Sequence, residues 1–179
     1  MPVAEQTWRV AGSQQDGTTD AQGNVDDLLE TFSTDYLASI GQELLMFLDV
    51  EGSPPGNPSL STSYYAGWAQ ALSTYSQQKT EGRITILPAV YASRDDNQTW
   101  QTLQTSVAPC HALWIAAYGS NAPGLPDWDV NQTTPQGAQL TCPVLLWQYA
   151  GNLCSDQCLD CNVTNPSEPG LLERLIPPP

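Results

Sequence analysis

Read for the spacing of apolar and polar positions, the chain alternates short apolar runs with helical stripes. The run Leu44-Leu45-Met46-Phe47-Leu48 carries no polar position, the mark of a strand buried on both faces, and it ends in Asp49-Val50-Glu51 before Gly52-Ser53-Pro54-Pro55-Gly56 breaks it. Arg83 to Ser93, with its apolar part at Ile84 to Tyr91, Leu113 to Tyr118 and Val144 to Tyr149 predict three more strands. Pro88 lacks a backbone donor, so the paired part of the first of these is expected to begin near Ala89. Leu28, Leu29, Phe32, Tyr36 and Leu37 recur at helical spacing behind a cap at Asn24, and Tyr64, Trp68, Ala71, Leu72 and Tyr75 mark a second helix over Ser63 to Gln78. Asp95 to Val107 reads as a shorter helix around Trp100 and Leu103. Trp8 to Gly12 reads as a short strand that opens into a polar loop, Ser13 to Gly23. From Cys154 onward the chain reads as loop, with a short segment around Asp160-Cys161-Asn162-Val163. Strands alternating with helices predict the α/β class, with a parallel sheet or barrel. The expected organisation is one domain over 1–179, with a loop-rich start (1–23) and a Pro-rich tail (164–179).

Length and charge narrow this picture. A chain of 179 residues buries one core, yet is short of the roughly 250 residues usual for an eight-stranded barrel. The net charge is -14, with 5 basic residues, which argues against nucleic acid and against an anionic membrane as partners. No apolar run approaches the roughly 20 residues of a membrane span. The start, Met1-Pro2-Val3-Ala4-Glu5, is not signal-peptide-like. Glycosylation triplets at Asn97, Asn131 and Asn162, and the scarcity of Lys, lean towards an extracellular product in mature form.

The 5 cysteines leave several chemistries open. Cys110 and Cys142 each precede a strand candidate, at positions where neighbouring parallel strands would bring them together as a disulfide. Cys154, Cys158 and Cys161 form a second cluster, open to a disulfide, to reduced thiols or to a metal. His111 is the only histidine, so a fourth zinc ligand would have to come from afar. No metal or other cofactor is expected.

The strongest candidate chemistry lies at the end of the first apolar run. Side chains alternate along a strand, so Phe47, Asp49 and Glu51 share one face, with the two acids about 6.6 Å apart along the backbone. Two carboxylates at the C-terminal end of a buried strand are candidate acid/base machinery for a glycosidic bond. In a chain with 19 acidic residues an Asp-x-Glu triplet arises by chance about half the time, so its place behind the apolar run is what singles it out.

Six segments in order carry a resemblance. They are Phe47-Leu48-Asp49-Val50-Glu51, Tyr64-Tyr65-x-x-Trp68, Ala89-Val90-Tyr91-Ala92-Ser93, Leu113-Trp114-Ile115-Ala116-x-Tyr118, Leu146-Trp147-Gln148-Tyr149 and Asp160-Cys161-Asn162-Val163. Over about residues 44 to 163 the chain resembles the lysozymes of glycoside hydrolase family 25. The resemblance implies an irregular, TIM-like (β/α) barrel that cuts the β-1,4 bond between N-acetylmuramic acid and N-acetylglucosamine in peptidoglycan. By the same resemblance Glu51 matches the proton donor, Asp49 its partner acid, and Asp160 the acid on the last strand. Tyr91, Trp114, Tyr118, Trp147, Gln148 and Tyr149 match strand-end positions near the sugar groove, with core filling as the plainer alternative for the aromatics.

One departure stands out. The family begins with a strand that carries an aspartate, then a second strand, whereas here Trp8 to Gly12 resembles the third, and Asp16 and Asp20 fall in the polar loop. The barrel is therefore expected to be incomplete at its N-terminal side. Its unpaired edges would be left for the tail or a second copy of the chain to cover. The expectations are a cell-wall glycosidase, a catalytically silent glycan-binding or scaffold relative, or a hydrolase of a different polysaccharide such as chitin.

Overall fold

The computed structural model describes residues 3–5, 9–51, 59–118, 125–151 and 160–176. Trp8, Gly52 to Gly56, Cys154 and Cys158 lie outside the described residues. The acid-bearing run forms strand β2 (Glu43–Val50), buried without a break from Leu44 to Leu48. A three-residue strand, β1 (Val3–Glu5), lies parallel to it with Glu5 opposite Asp49. Strands β3 (Thr85–Ser93), β4 (Leu113–Ala116) and β5 (Val144–Ala150) follow in parallel, and β6 (Cys161–Thr164) closes the series antiparallel to β5.

The strands lie in the sheet in chain order, β1 to β6. Parallel crossovers are right-handed, so strands added always on the same side carry their connecting helices on one face of the sheet. Those connections are α1 (Gln14–Thr31) and α2 (Thr34–Ile40), α3 (Thr62–Lys79), α4 (Asn97–Thr105) and the short α5 (Val130–Thr133). The packing agrees. Leu44, Met46, Leu48, Val50, Ile86, Val90, Leu113 and Ile115 join Tyr64, Trp68 and Trp100 in one buried cluster on the helix side. Leu45, Phe47, Leu87, Ala89, Tyr91 and Leu146 form a second cluster on the other face, against which Leu171, Leu172 and Leu175 pack. These leucines lie in and after the helical turn α6 (Pro169–Leu172), and the segment is tied to the start of β2 by Leu45 N donating to Arg174 O at 2.8 Å. The second face is thus floored at the N-terminal ends of the strands.

Several expectations are corrected. Residues 9–12 are turn rather than strand, and the strand before β2 lies at Val3–Glu5. The expected polar loop Ser13 to Gly23 is instead the first half of α1, so Asp16 and Asp20 are helical. Ser13 caps that helix in a reciprocal box with Asp16, and Gly17, Asp20, Ala21, Val25 and Leu28 form its buried face. Asn24 is mid-helix and accepts a hydrogen bond from Trp68 Nε1 at 3.0 Å. The short segment set apart around Asp160 to Val163 is strand β6, and the stretch after it, read as loop, contains α6.

Pro88 does pair, opposite Met46. Val90 N donates to Ala112 O, so alternate residues of β3 aim their N–H groups at β4. Pro88 sits two positions earlier, before the β3–β4 register begins at Val90 opposite Leu113, where no ladder donor is needed. Its carbonyl still accepts from His111 N at 2.9 Å.

Candidate active site

Strand alternation delivers the site. Phe47 lies in the second cluster, so Asp49 and Glu51, two and four residues on, stand over the same face, above the buried floor. Register sets Asp49 opposite Tyr91 and Tyr91 opposite Trp114. Trp114 packs edge-on to Phe47 at 5.8 Å between ring centroids and tilted against Tyr91 at 4.7 Å. Its indole Nε1 donates to Asn162 Oδ1 at 2.8 Å, which ties β4 across to β6. Gln148, buried on β5, accepts the Tyr91 hydroxyl proton through Oε1.

An open cleft of about 380 Å³ lies at the C-terminal ends of β2, β3 and β4, with Glu51, Tyr91, Ser93, Arg94, Tyr118 and Gln132 on its walls. Tyr118 is 63% exposed, an aromatic face turned to solvent at the rim. Electrostatics tie the three acids to this spot. Burial, the neighbouring Tyr118 hydroxyl and the negative charges of Asp49 and Glu51 push the Tyr91 phenol well above its ordinary value. Burial also raises Tyr118, and Asp160, Glu51 and Asp49 add to it while the Tyr91 hydroxyl opposes the shift. A Cβ on Gly151 would lie 3.1 Å from Asp160 Oδ1 and 3.4 Å from the Tyr118 hydroxyl, which puts Asp160 beside Tyr118. The two tyrosines remain protonated at neutral pH and serve as hydrogen-bond donors and apolar surface among carboxylates.

Of the residues singled out from the sequence, Glu51, Asp49, Asp160, Tyr91, Trp114, Tyr118 and Gln148 are brought together here. Trp147 and Tyr149 are not. They face the helices, where Trp147 is buried, donates from Nε1 to Ala117 O at 2.8 Å and packs edge-on to Tyr149 at 6.0 Å. Arg94, Ser93 and Gln132 also line the cleft and Asn162 holds the Trp114 indole, and sequence reasoning did not single them out as site residues. Ser93 ends a strand-end motif and Arg94 follows directly on it, a usable signal; Gln132 sits on a four-residue helix with no periodic mark.

Cys110 and Cys142 stand before β4 and β5, half-buried and unbonded. The hydrogen bond between the two thiols, with burial, pushes Cys110 up, and the same hydrogen bond lowers Cys142. Among the described residues no cluster of three or more His, Cys, Asp or Glu side chains is arranged to hold a metal ion, and no helix is long and apolar enough to cross a membrane.

Two solved structures are similar to this chain. One is a muramidase from Acremonium alcalophilum, 22% identical, matched over 92% of this chain and 68% of its own, with a TM-score of 0.42. The other is the spore cortex lytic enzyme SleM of Clostridium perfringens, 19% identical, matched over 86% of this chain and 46% of its own, also with a TM-score of 0.42. The chain thus spans less than half the length of the second. No protein-family model matches the chain, and no curated protein matches it. Neither structural likeness is close enough to lend its chemistry to this chain, so the chemistry rests on the cleft itself.

Proposed function

We propose that the protein is a glycosidase of the bacterial cell wall, cutting the β-1,4 bond between N-acetylmuramic acid and N-acetylglucosamine. The observation that carries this reading is the gathering of Asp49, Glu51 and Asp160 about Tyr91 and Tyr118, with Glu51 on the wall of an open cleft. In this reading the sheet belongs to an irregular (β/α) barrel within one domain, with its site at the strand C-termini. Glu51, on the cleft wall, passes its proton to the leaving glycosidic oxygen. Asp49, set deeper on the same strand face, stays charged and either stabilises the oxocarbenium-like state or positions the substrate's acetamido group as an internal nucleophile. Asp160 adds negative charge to the same spot. Trp114 and Tyr118 supply aromatic faces for sugar rings, and Tyr91 and Gln148 a fixed donor–acceptor pair. The setting is extracellular, where Cys110 and Cys142 would be joined.

A catalytically silent glycan binder is the second reading, favoured by the exposure of Glu51. A proton donor working near neutral pH is usually kept protonated by burial. Clearing of a peptidoglycan suspension separates the two. The glycosidase clears it and Glu51→Gln slows it at least a hundredfold. No clearing by the parent from acidic to neutral pH, with sedimentation onto the glycan retained, leaves the binder.

A further inference from the structure

In a chain with 5 basic residues against 19 acidic ones, the position of each cation is informative. Four are ion-paired elsewhere: Arg9 with Asp20 at 3.0 Å, Lys79 with Asp26 at 2.7 Å, Arg83 with Asp35 at 2.6 Å and Arg174 with Glu43 at 3.0 Å. Arg94 is the one basic side chain on the cleft wall among the described residues.

Arg94 is held in place at backbone and side chain alike. Its N–H donates to Ala116 O at 2.8 Å, and its carbonyl accepts from Gln136 N and Trp100 Nε1, both at 3.0 Å. The side chain is 23% exposed, with Nε donating to Asp95 Oδ1 at 3.1 Å and Nη1 to Gln132 Oε1 at 2.9 Å. A guanidinium carries five N–H donors, so more than half of them have no partner among the described residues. Asp95 is 65% exposed, and an ion pair so open to water adds little stability. Fold stability therefore does not account for the charge. A fixed guanidinium with donors to spare, on the wall of a cleft otherwise lined by neutral and acidic groups, is pre-organised for a planar anion.

We infer that Arg94 is a specificity-determining residue that receives a carboxylate carried on the bound glycan. It makes the cleft prefer an acidic polysaccharide to a neutral polymer of N-acetylglucosamine. This rests on the glycan reading above. The carboxylate has two sources on a cell-wall strand: the lactyl group of N-acetylmuramic acid where no peptide is attached, or the stem peptide where one is. The same guanidinium chemistry serves both.

The test is calorimetric titration of Glu51→Gln, which leaves the glycan uncut, against the same protein with Arg94→Gln or Arg94→Lys added. The probes are a peptide-free tetrasaccharide of alternating N-acetylglucosamine and N-acetylmuramic acid, its lactyl carboxamide derivative, the peptide-bearing tetrasaccharide, and chitotetraose. Thermal melting of each variant confirms that it is folded. The expected result is a preference for carboxylate over carboxamide, or for the peptide-bearing form over chitotetraose, that falls about tenfold with Arg94→Gln and is partly kept by Arg94→Lys. Which of the two preferences collapses identifies the source of the carboxylate. Equal weakening of all four probes, or no change in either preference, overturns the inference while leaving the glycan reading intact. Failure of Glu51→Gln to bind any probe overturns both.

Discussion

Trp114 and Trp147 occupy neighbouring strands and face opposite ways, which no composition count could tell. Trp114 packs on Tyr91 and Phe47 with its indole nitrogen on Asn162, whereas Trp147 is 4% exposed against the helices. Trp147→Ala is expected to cost about 3–5 kcal/mol of stability, seen in urea unfolding. Trp114→Ala is expected to weaken glycan binding about tenfold while shifting the melting temperature less. Asp49 and Glu51 were legible because they end an unmistakable run. The inward set was not, because β4 and β5 slip in register between Leu113 and Trp114, and alternation read separately along each strand leaves the relation between strands open. Asp16 offers a pH test. The Ser13 hydroxyl and backbone N–H hold its carboxyl below the ordinary 3.8. A lowered value means stability present above 3.8 and lost as pH falls through the folded value. Asp16→Ala should therefore melt below the parent at pH 7, and the gap should narrow as the pH is taken below 3.8.

At the scale of elements, α1 is the lesson. Its first half buries Gly17, Asp20 and Ala21, small or charged at the positions where a hydrophobic stripe would be sought, before Val25 and Leu28 take up an apolar stripe. Smallness is what the packing needs: a Cβ on Gly17 would lie 2.1 Å from Tyr64 O, and one on Gly67 would lie 2.1 Å from Gln14 O. α1 and α3 therefore cross almost backbone to backbone, and Gly67→Ala should destabilise by at least about 1–3 kcal/mol in the same unfolding assay. Asp20 is acceptable in that interface because Arg9 Nη2 at 3.0 Å and the Tyr64 hydroxyl at 2.9 Å satisfy it. Strands β2 to β5, by contrast, were legible as elements, since each is an apolar run with a hard stop, although β3 pairs from Thr85 rather than from near Ala89 and β4 ends at Ala116 rather than Tyr118. The thiols ahead of β4 and β5 give a further outcome. Oxidation in a glutathione redox buffer should join Cys110 to Cys142, remove two titratable thiols and raise stability by about 3 kcal/mol, an effect absent from Cys110→Ala.

For the whole molecule, the one-directional winding of the sheet is the organising fact. It sends every crossover helix to one face and leaves the other to a floor of leucines below and a cleft above. That winding follows from strands alternating with helices, so the α/β class was readable. The floor was not, because the residues that build it lie in a stretch that reads as Pro-rich tail. Leu45 meets Arg174 across most of the sequence, and so distant a contact is slow to form. A ribosome must have made residue 174 before the underside of the sheet can be covered. Until then Leu45, Leu87 and Leu146 remain open to water on a growing chain. The stretch after residue 169 is thus what turns a sticky nascent sheet into a covered one, and chains stalled before it should be the ones that chaperones hold.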